Sequence, residues 1–338
     1  MIPSTAKALP ISDLVPEILE SLEKSPNLVL QAPPGAGKTT VLPLALRDAA
    51  WRAGRRILVL EPRRIAAKAA AHRLAESLGE AVGGQVGYHV RQEKCLGPKT
   101  IIELVTEGIL TRHLQRDPEL QDVAAILFDE VHERSLQGDL GLALSLEIQR
   151  ALRDDLRLMA MSATLDGEKL AQIMAYEGRP APIVTSDGRS YPVTLRYCPL
   201  PAAQTRLQQR VAAVPDLVEQ ALTEEPEGGL LVFLPGEGEI RQVGANLEKR
   251  FQHRQDVSLH PLFGAMPLAA QNKAICPDSQ GRRKIILATA VAETSLTLEG
   301  IRIVLDTGLR RVSLFDPKSG MARLETQKGT QAGAKQRA

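Results

Sequence analysis

Residues 28–40 read Leu28-Val-Leu-Gln-Ala-Pro-Pro-Gly-Ala-Gly-Lys-Thr-Thr40. A short apolar run, a turn of prolines and glycines, then a lysine and two hydroxyl residues predict a buried strand, a tight loop and the start of a helix. Gly35 and Gly37 let the backbone bend so that its N–H groups converge on an anion, and Ala36 and Thr40 complete the same cradle. Lys38 brings a positive charge to the outer phosphates, and the Thr39 hydroxyl is placed as a metal ligand. The helix that follows aims its positive end at the same point. Ala32 stands where the general pattern has glycine, one small residue for another.

Such a loop needs an acidic partner at the end of a neighbouring strand, and Ala124-Ala-Ile-Leu-Phe-Asp-Glu-Val-His-Glu-Arg134 supplies it. Asp129 closes a five-residue apolar run and is an expected metal ligand with Thr39, and Glu130 beside it is expected to polarise an attacking water and is also counted among the metal residues. If the strand continues through both, the carboxylates point to opposite sides and divide these roles. Carboxylates that end a buried strand are costly unless a cation accompanies them. Together the two segments predict hydrolysis of a nucleoside triphosphate with a divalent metal.

Further short apolar runs at 57–60, 101–105 and 158–161 alternate with helical patterns such as 66–78, the pattern of an α/β fold with parallel sheets. A second series at 193–197, 230–234, 285–288 and 303–305 follows, with helical spacing over 200–221. Between the series, Glu177-Gly-Arg-Pro-Ala-Pro182 reads as a linker or domain edge. At 338 residues the chain suits two domains, and the expected division is 1–178 and 179–338.

Composition narrows the function classes. With 43% hydrophobic and 24% charged residues the chain is globular, and no run approaches the roughly 18 apolar residues of a membrane helix. The first ten residues lack the parts of a secretion signal, and Cys95, Cys198 and Cys276 are too scattered for a zinc site or disulfide framework. A cytoplasmic location is expected. A net charge of +2 does not announce a nucleic-acid binder, although eight Lys/Arg against three Asp/Glu from Arg302 onward make a basic end. Aromatics are only 3% of the chain, so any grip on a strand must come from backbone contacts and not from stacking.

At Asp129-Glu-Val-His132 the chain resembles the superfamily 2 helicases of the DEAH/DExH group, and other segments fall in that family's order. Glu61-Pro-Arg-Arg-Ile-Ala-Ala67 resembles motif Ia, Thr106-Glu-Gly108 motif Ib and Ser162-Ala-Thr164 motif III. Gly188-Arg-Ser-Tyr-Pro-Val193 marks the start of the second lobe, Phe233-Leu-Pro-Gly236 resembles motif IV, and Ala288-Thr-Ala-Val-Ala-Glu-Thr-Ser-Leu-Thr297 motif V. Within the group, Glu61-Pro-Arg-Arg64, Arg116-Asp-Pro-Glu-Leu120 and Phe315-Asp-Pro317 are most similar to the bacterial HrpB type.

The resemblance implies two tandem RecA-like P-loop NTPase domains with ATP and Mg²⁺ between them, acting on single-stranded or partly duplex RNA or DNA. It implies that Lys38, Asp129, Glu130 and His132 are catalytic, that Ser162 and Thr164 couple nucleotide state to strand grip, and that Arg73, Thr297 and Glu299 lie near adenine and ribose. It implies strand contacts by Arg63, Arg64, Arg91, Thr106 and Thr289. A plain surface role for Arg73 and Glu299 stays open beside that one.

Two departures stand out. Ala290 replaces the asparagine common after the motif V threonine. The last residues, Gln336-Arg-Ala338, resemble only the opening of motif VI, so a truncated parent with further C-terminal domains is expected, with Arg337 frayed. Two alternatives remain: a weakly active fragment that binds nucleotide and nucleic acid, and a P-loop ATPase that remodels protein.

Overall fold

The computed structural model describes residues 9–33, 35–163, 167–186, 192–199, 207–293 and 298–337. It contains two compact units, Met1–Tyr191 and Pro192–Ala338.

In the first unit, α1 (Val15–Lys24) leads to β1 (Asn27–Gln31), α2 (Lys38–Leu46), β2 (Arg56–Glu61), α3 (Arg64–Ser77), β3 (Val86–Val90) and β4 (Glu93–Cys95). β5 (Ile102–Thr106), α4 (Glu107–Arg116), β6 (Val123–Phe128), α5 (Leu136–Ala151), β7 (Arg157–Ser162), α6 (Gly167–Ile173) and β8 (Ile183–Thr185) follow. Among the described residues these strands form one sheet in the order β4-β3-β5-β2-β6-β7-β1-β8, parallel except for β4. β6 is buried at every position, and β1, β2, β5 and β7 at all but one. Helices on both faces leave no side of these strands wet, which is why they read as unbroken apolar runs. Each fully buried Leu, Ile or Phe contributes about 1.5–3 kcal/mol of transfer free energy. The order also shows how the site is made. β7 lies between β1 and β6, so the chain runs outward from β1 in one direction and reaches β6 from the other, and a ligand crevice opens at the carboxyl ends of such strands.

The second unit holds α7 (Leu207–Ala212), α8 (Val214–Glu224), β9 (Gly229–Phe233), α9 (Glu237–Arg250), β10 (Val257–Leu262), α10 (Leu268–Ile275), β11 (Arg283–Ala288) and β12 (Ile301–Asp306). β13 (Leu309–Asp316), β14 (Met321–Lys328) and α11 (Gln331–Arg337) complete it. The order β10-β11-β9-β12 is parallel throughout, and β13 and β14 pair as a separate antiparallel hairpin.

Three expectations change. The stretch at 177–182 is no linker: Glu177 and Gly178, both at positive φ, turn the chain back, and Pro182 accepts a hydrogen bond from Val29 of β1 at 2.9 Å. β8 then adds to the edge of the first sheet, so the division falls after residue 191 and not after 178. The run at 193–197 forms no strand; Val193, Leu195 and Tyr197 are well exposed, and without a sheet partner an apolar run has no face to bury. Arg337 is not frayed. It is buried, bonded to Glu293 at 3.1 Å and Asp306 at 2.7 Å, and lies 4.7 Å over the Phe233 ring.

Candidate active site

Gly37, with φ of 99°, is the last residue before α2, and Gly35 also has a positive φ of 76°. A Cβ on Gly37 would meet Leu9 Cδ1 at 2.9 Å, so a side chain there is barred by contact as well as by conformation. The N-terminal turn Pro10–Leu14 braces the loop from behind, with the buried Ile11 donating its N–H to the Ala36 carbonyl at 3.1 Å. Lys38 opens α2, is buried, and donates to the Ala32 carbonyl at 2.9 Å, so its ammonium reaches back across the loop. Thr40 is half-buried one position beyond Thr39.

Thr39 and Asp129 are brought together as expected, the hydroxyl donating to Asp129 Oδ2 at 2.5 Å. β6 ends at Phe128, however, so the two acids do not lie on the strand itself. Asp129 is held by its N–H to the Leu60 carbonyl at 3.0 Å, and Glu130 takes a left-handed conformation with φ of 51°, its N–H bonded to Asp129 Oδ1 at 2.9 Å. Residues other than glycine enter that region at a cost. Burial and the Asp129 charge raise the Glu130 carboxyl above the usual carboxylate range, against the pull of Lys38.

His132 lies 3.3 Å from Glu130 Oε2 through Nδ1, and the same nitrogen accepts the Ala163 N–H at 3.4 Å. Burial and Lys38 lower its pKa, so the ring is neutral. With the ring uncharged, the contact with Glu130 is a polar contact and not an ion pair. His132 therefore ties the acidic segment to motif III within the first unit. Ser162 is wholly buried at the end of β7, its carbonyl accepting the Ala32 N–H at 2.9 Å. Thr164 and Thr297 lie outside the described residues.

Reading the sequence missed Glu61 as a member of this site. It ends β2 with no exposed surface, and neither carboxylate oxygen has a hydrogen-bond partner among the described residues. Burial first, then the charges of Asp129, Glu130 and Glu133, push it well above the ordinary range, so it is a neutral acid. Its signal was present in Glu61-Pro-Arg-Arg64, but as a motif letter and not as a buried charge.

The donors fit Mg²⁺. A hydroxyl and a carboxylate are the hard oxygens this ion takes, and octahedral ligands about 2.0–2.1 Å from it stand roughly 2.9 Å apart, a small step from the present Thr39–Asp129 contact. Glu130 contacts His132, which suits a base, and lies within electrostatic reach of Asp129.

The expected strand contacts divide. Arg64 and Arg91 are exposed, at the start of α3 and in the turn after β3, and Thr106 is half-buried just before α4. Arg63 departs from expectation and bonds Glu133 at 3.2 Å, because the chain after the acidic segment folds back over motif Ia. Arg73 is half-buried on α3 with no side-chain hydrogen bond to the loop among the described residues, and Glu299 is exposed in the turn before β12. In the second unit, Thr289 and Ala290 line a cleft of about 290 Å³ at the carboxyl ends of the strands, together with Gly236, Phe263, Arg310 and Arg311. A Cβ at Gly236 would stand 2.9 Å from the Arg311 guanidinium, so the glycine lets that arginine lie across the loop.

Residues 12–173 match the DEAD/DEAH box helicase family model. The ATP-dependent RNA helicase HrpB of Escherichia coli is 50% identical over 331 residues, 98% of this chain and 39% of that protein. The ATP-dependent RNA helicase HrpA of Borreliella burgdorferi is 34% identical over 330 residues, with the same shares. The crystal structure of the E. coli DEAH/RHA helicase HrpB gives a TM-score of 0.86 at 50% identity, over 98% of this chain and 41% of that one. The chain spans about two fifths of the length of these relatives. The family match runs through both halves of the phosphate site and the likeness to HrpB through nearly every residue, so residues 12–173 match a DEAD/DEAH box helicase domain and the chain as a whole is similar to the HrpB type.

Proposed function

We propose that this chain is the motor of an ATP-dependent RNA helicase, hydrolysing ATP with Mg²⁺ and coupling that to movement along, or remodelling of, an RNA strand. The observation that carries the reading is the Thr39–Asp129 contact beside buried Lys38 and Glu130. Thr39 and Asp129 would hold the metal, which supplies charge neutralisation at the phosphates when bound. Lys38 and the inward N–H groups of the loop orient and stabilise the phosphoryl oxygens. Glu130, which burial and Asp129 give a strong affinity for a proton, orients the attacking water and accepts its proton, and His132 fixes the carboxyl's position. RNA is the substrate the named relatives share. Arg64, Arg91 and the Thr289 cleft offer cationic and hydroxyl groups to phosphates, which suits a motor indifferent to sequence.

The test is ATP turnover of the chain with and without saturating single-stranded RNA or DNA, with Lys38→Ala as the blank. Stimulation by RNA above DNA is expected. Turnover indifferent to either nucleic acid would favour an ATPase that remodels protein.

A further inference from the structure

Away from the phosphate site, the first sheet gathers a second group of ligating side chains. His89 on β3, Glu103 on β5 and His113 on α4 each present one donor atom, and the three atoms lie within 4.8 Å of one another. β3 and β5 are parallel neighbours with Gly87 opposite Glu103 and His89 opposite Val105, so His89 and Glu103 share a face as diagonal neighbours. α4 follows β5 directly and brings His113 to the same place, its ring centroid 5.4 Å from that of His89.

We propose that His89, Glu103 and His113 form a binding site for a borderline divalent cation of the Zn²⁺ class, separate from the nucleotide metal. Two imidazoles and a carboxylate are a donor set that Zn²⁺ takes, with an open position left over. His89 Nδ1 and Glu103 Oε1 stand 3.7 Å apart, close to the roughly 3.3 Å between ligands of a tetrahedral zinc, so an adjustment of at most about 1.5 Å by His113 closes the set. Both atoms are buried and without a hydrogen-bond partner among the described residues, an arrangement that a shared cation would satisfy. The other Glu103 oxygen accepts from Arg56 at 2.8 Å, the kind of outer contact that fixes a ligand's orientation.

The imidazoles are available to a metal at neutral pH. Burial lowers both, His113 to about 4 with help from His89, Arg56, Lys94 and Arg116, and His89 with help from Lys94 and Arg112. These same cations weaken the site's attraction for another positive charge, so the affinity is set by coordination and not by the field around it. A bound ion would staple β3, β5 and α4 together, and with them the turn that carries Arg91 and the strand end that carries Thr106.

The test uses the 338-residue chain with Cys198→Ser and Cys276→Ser, which removes the exposed thiols as rival ligands. Titration with Zn²⁺ should give one ion per chain and a melting temperature raised by several degrees. His89→Gln and His113→Leu, on different elements, should each weaken binding at least tenfold while nucleotide binding is unchanged. If either substitution prevents folding, Co²⁺ added to the His-intact chain decides: weak visible bands of a nitrogen–oxygen site support the proposal, and a thiolate charge-transfer band overturns it. No Zn²⁺-dependent shift, or binding that survives in both histidine variants, also overturns it.

Discussion

At the carboxyl ends of the first unit's strands the charged groups are mostly acids, and they are buried. Glu61, Asp129 and Glu130 stand around one ammonium, that of Lys38. At the matching ends of the second unit's strands the cleft holds Arg310, Arg311 and the Thr289 hydroxyl, with Glu237 as its acid. Both places gather loops that follow parallel strands, and the second adds Arg310 and Arg311 from the start of β13. Their charge differs because their tasks differ. Crowded carboxylates in a low-dielectric setting are poised for a metal and for proton transfer, whereas half-exposed arginines are suited to a polyanion that must be gripped and released.

Removing Lys38, the ammonium that these acids surround, should break this contrast most completely. Lys38→Ala loses affinity for the triphosphate and stabilisation of the transition-state charge together, so kcat/KM for ATP should fall by more than about 10⁴. Steady-state ATPase assays with direct nucleotide titration would check it, and turnover near that of the parent would locate the site elsewhere. Glu130→Gln separates the two losses. It keeps volume, and Thr39 and Asp129 keep the metal, so nucleotide affinity should hold while kcat drops by about 10²–10⁴. Equal losses in affinity and kcat would show that Glu130 is a metal ligand after all.

The second unit should respond in a different quantity. Arg310→Ala and Arg311→Ala should leave nucleotide affinity alone and weaken single-stranded RNA about five- to tenfold each. The slope of log K against log salt should shrink by about 0.7 for each phosphate that the variant leaves unneutralised. Fluorescence anisotropy at several salt concentrations measures both. Arg311 already has Glu239 at 3.7 Å, while Arg310 Nε is buried with no partner among the described residues, so Arg310 should carry the larger share.

How far these places could be read from sequence follows from how local their causes are. The strands β1, β2, β5, β6, β7, β9 and β11 are legible because burial on both faces makes each a continuous apolar run. β10 alternates, β8 has three residues, and the β13–β14 hairpin is largely exposed, so the same signal misses them. The phosphate loop and acidic pair are contiguous motifs and were legible for that reason. The Arg63–Glu133 pair spans 70 positions, and His89, Glu103 and His113 meet only through strand register and the return of α4. No spacing rule in the sequence announces either.

The smallest effect concerns Glu61, and it tests whether the first unit's acids are a burden in the absence of nucleotide. Its carboxyl is raised well above the unfolded value of 4.5 by burial and by three neighbouring acids. Above pH 4.5 the folded chain therefore holds a proton that the unfolded chain has lost, and stability falls as pH rises toward the folded pKa. The stabilising contribution is complete below 4.5 and disappears through that window. Glu61→Gln keeps the shape of the protonated acid and cannot titrate, but its second N–H is left without a partner, a cost of about 1–3 kcal/mol at any pH. The variant should thus be less stable than the parent at pH 4, and should gain on it by about 1.4 kcal/mol per pH unit above 4.5. The variant's deficit therefore shrinks steadily as pH rises toward the folded pKa of Glu61. Thermal unfolding of both chains without nucleotide, from pH 4 to 8, measures the difference directly. A difference that does not change with pH would mean that Glu61 is ionised in the folded state, and that Lys38 reaches it more closely than the burial of both groups implies.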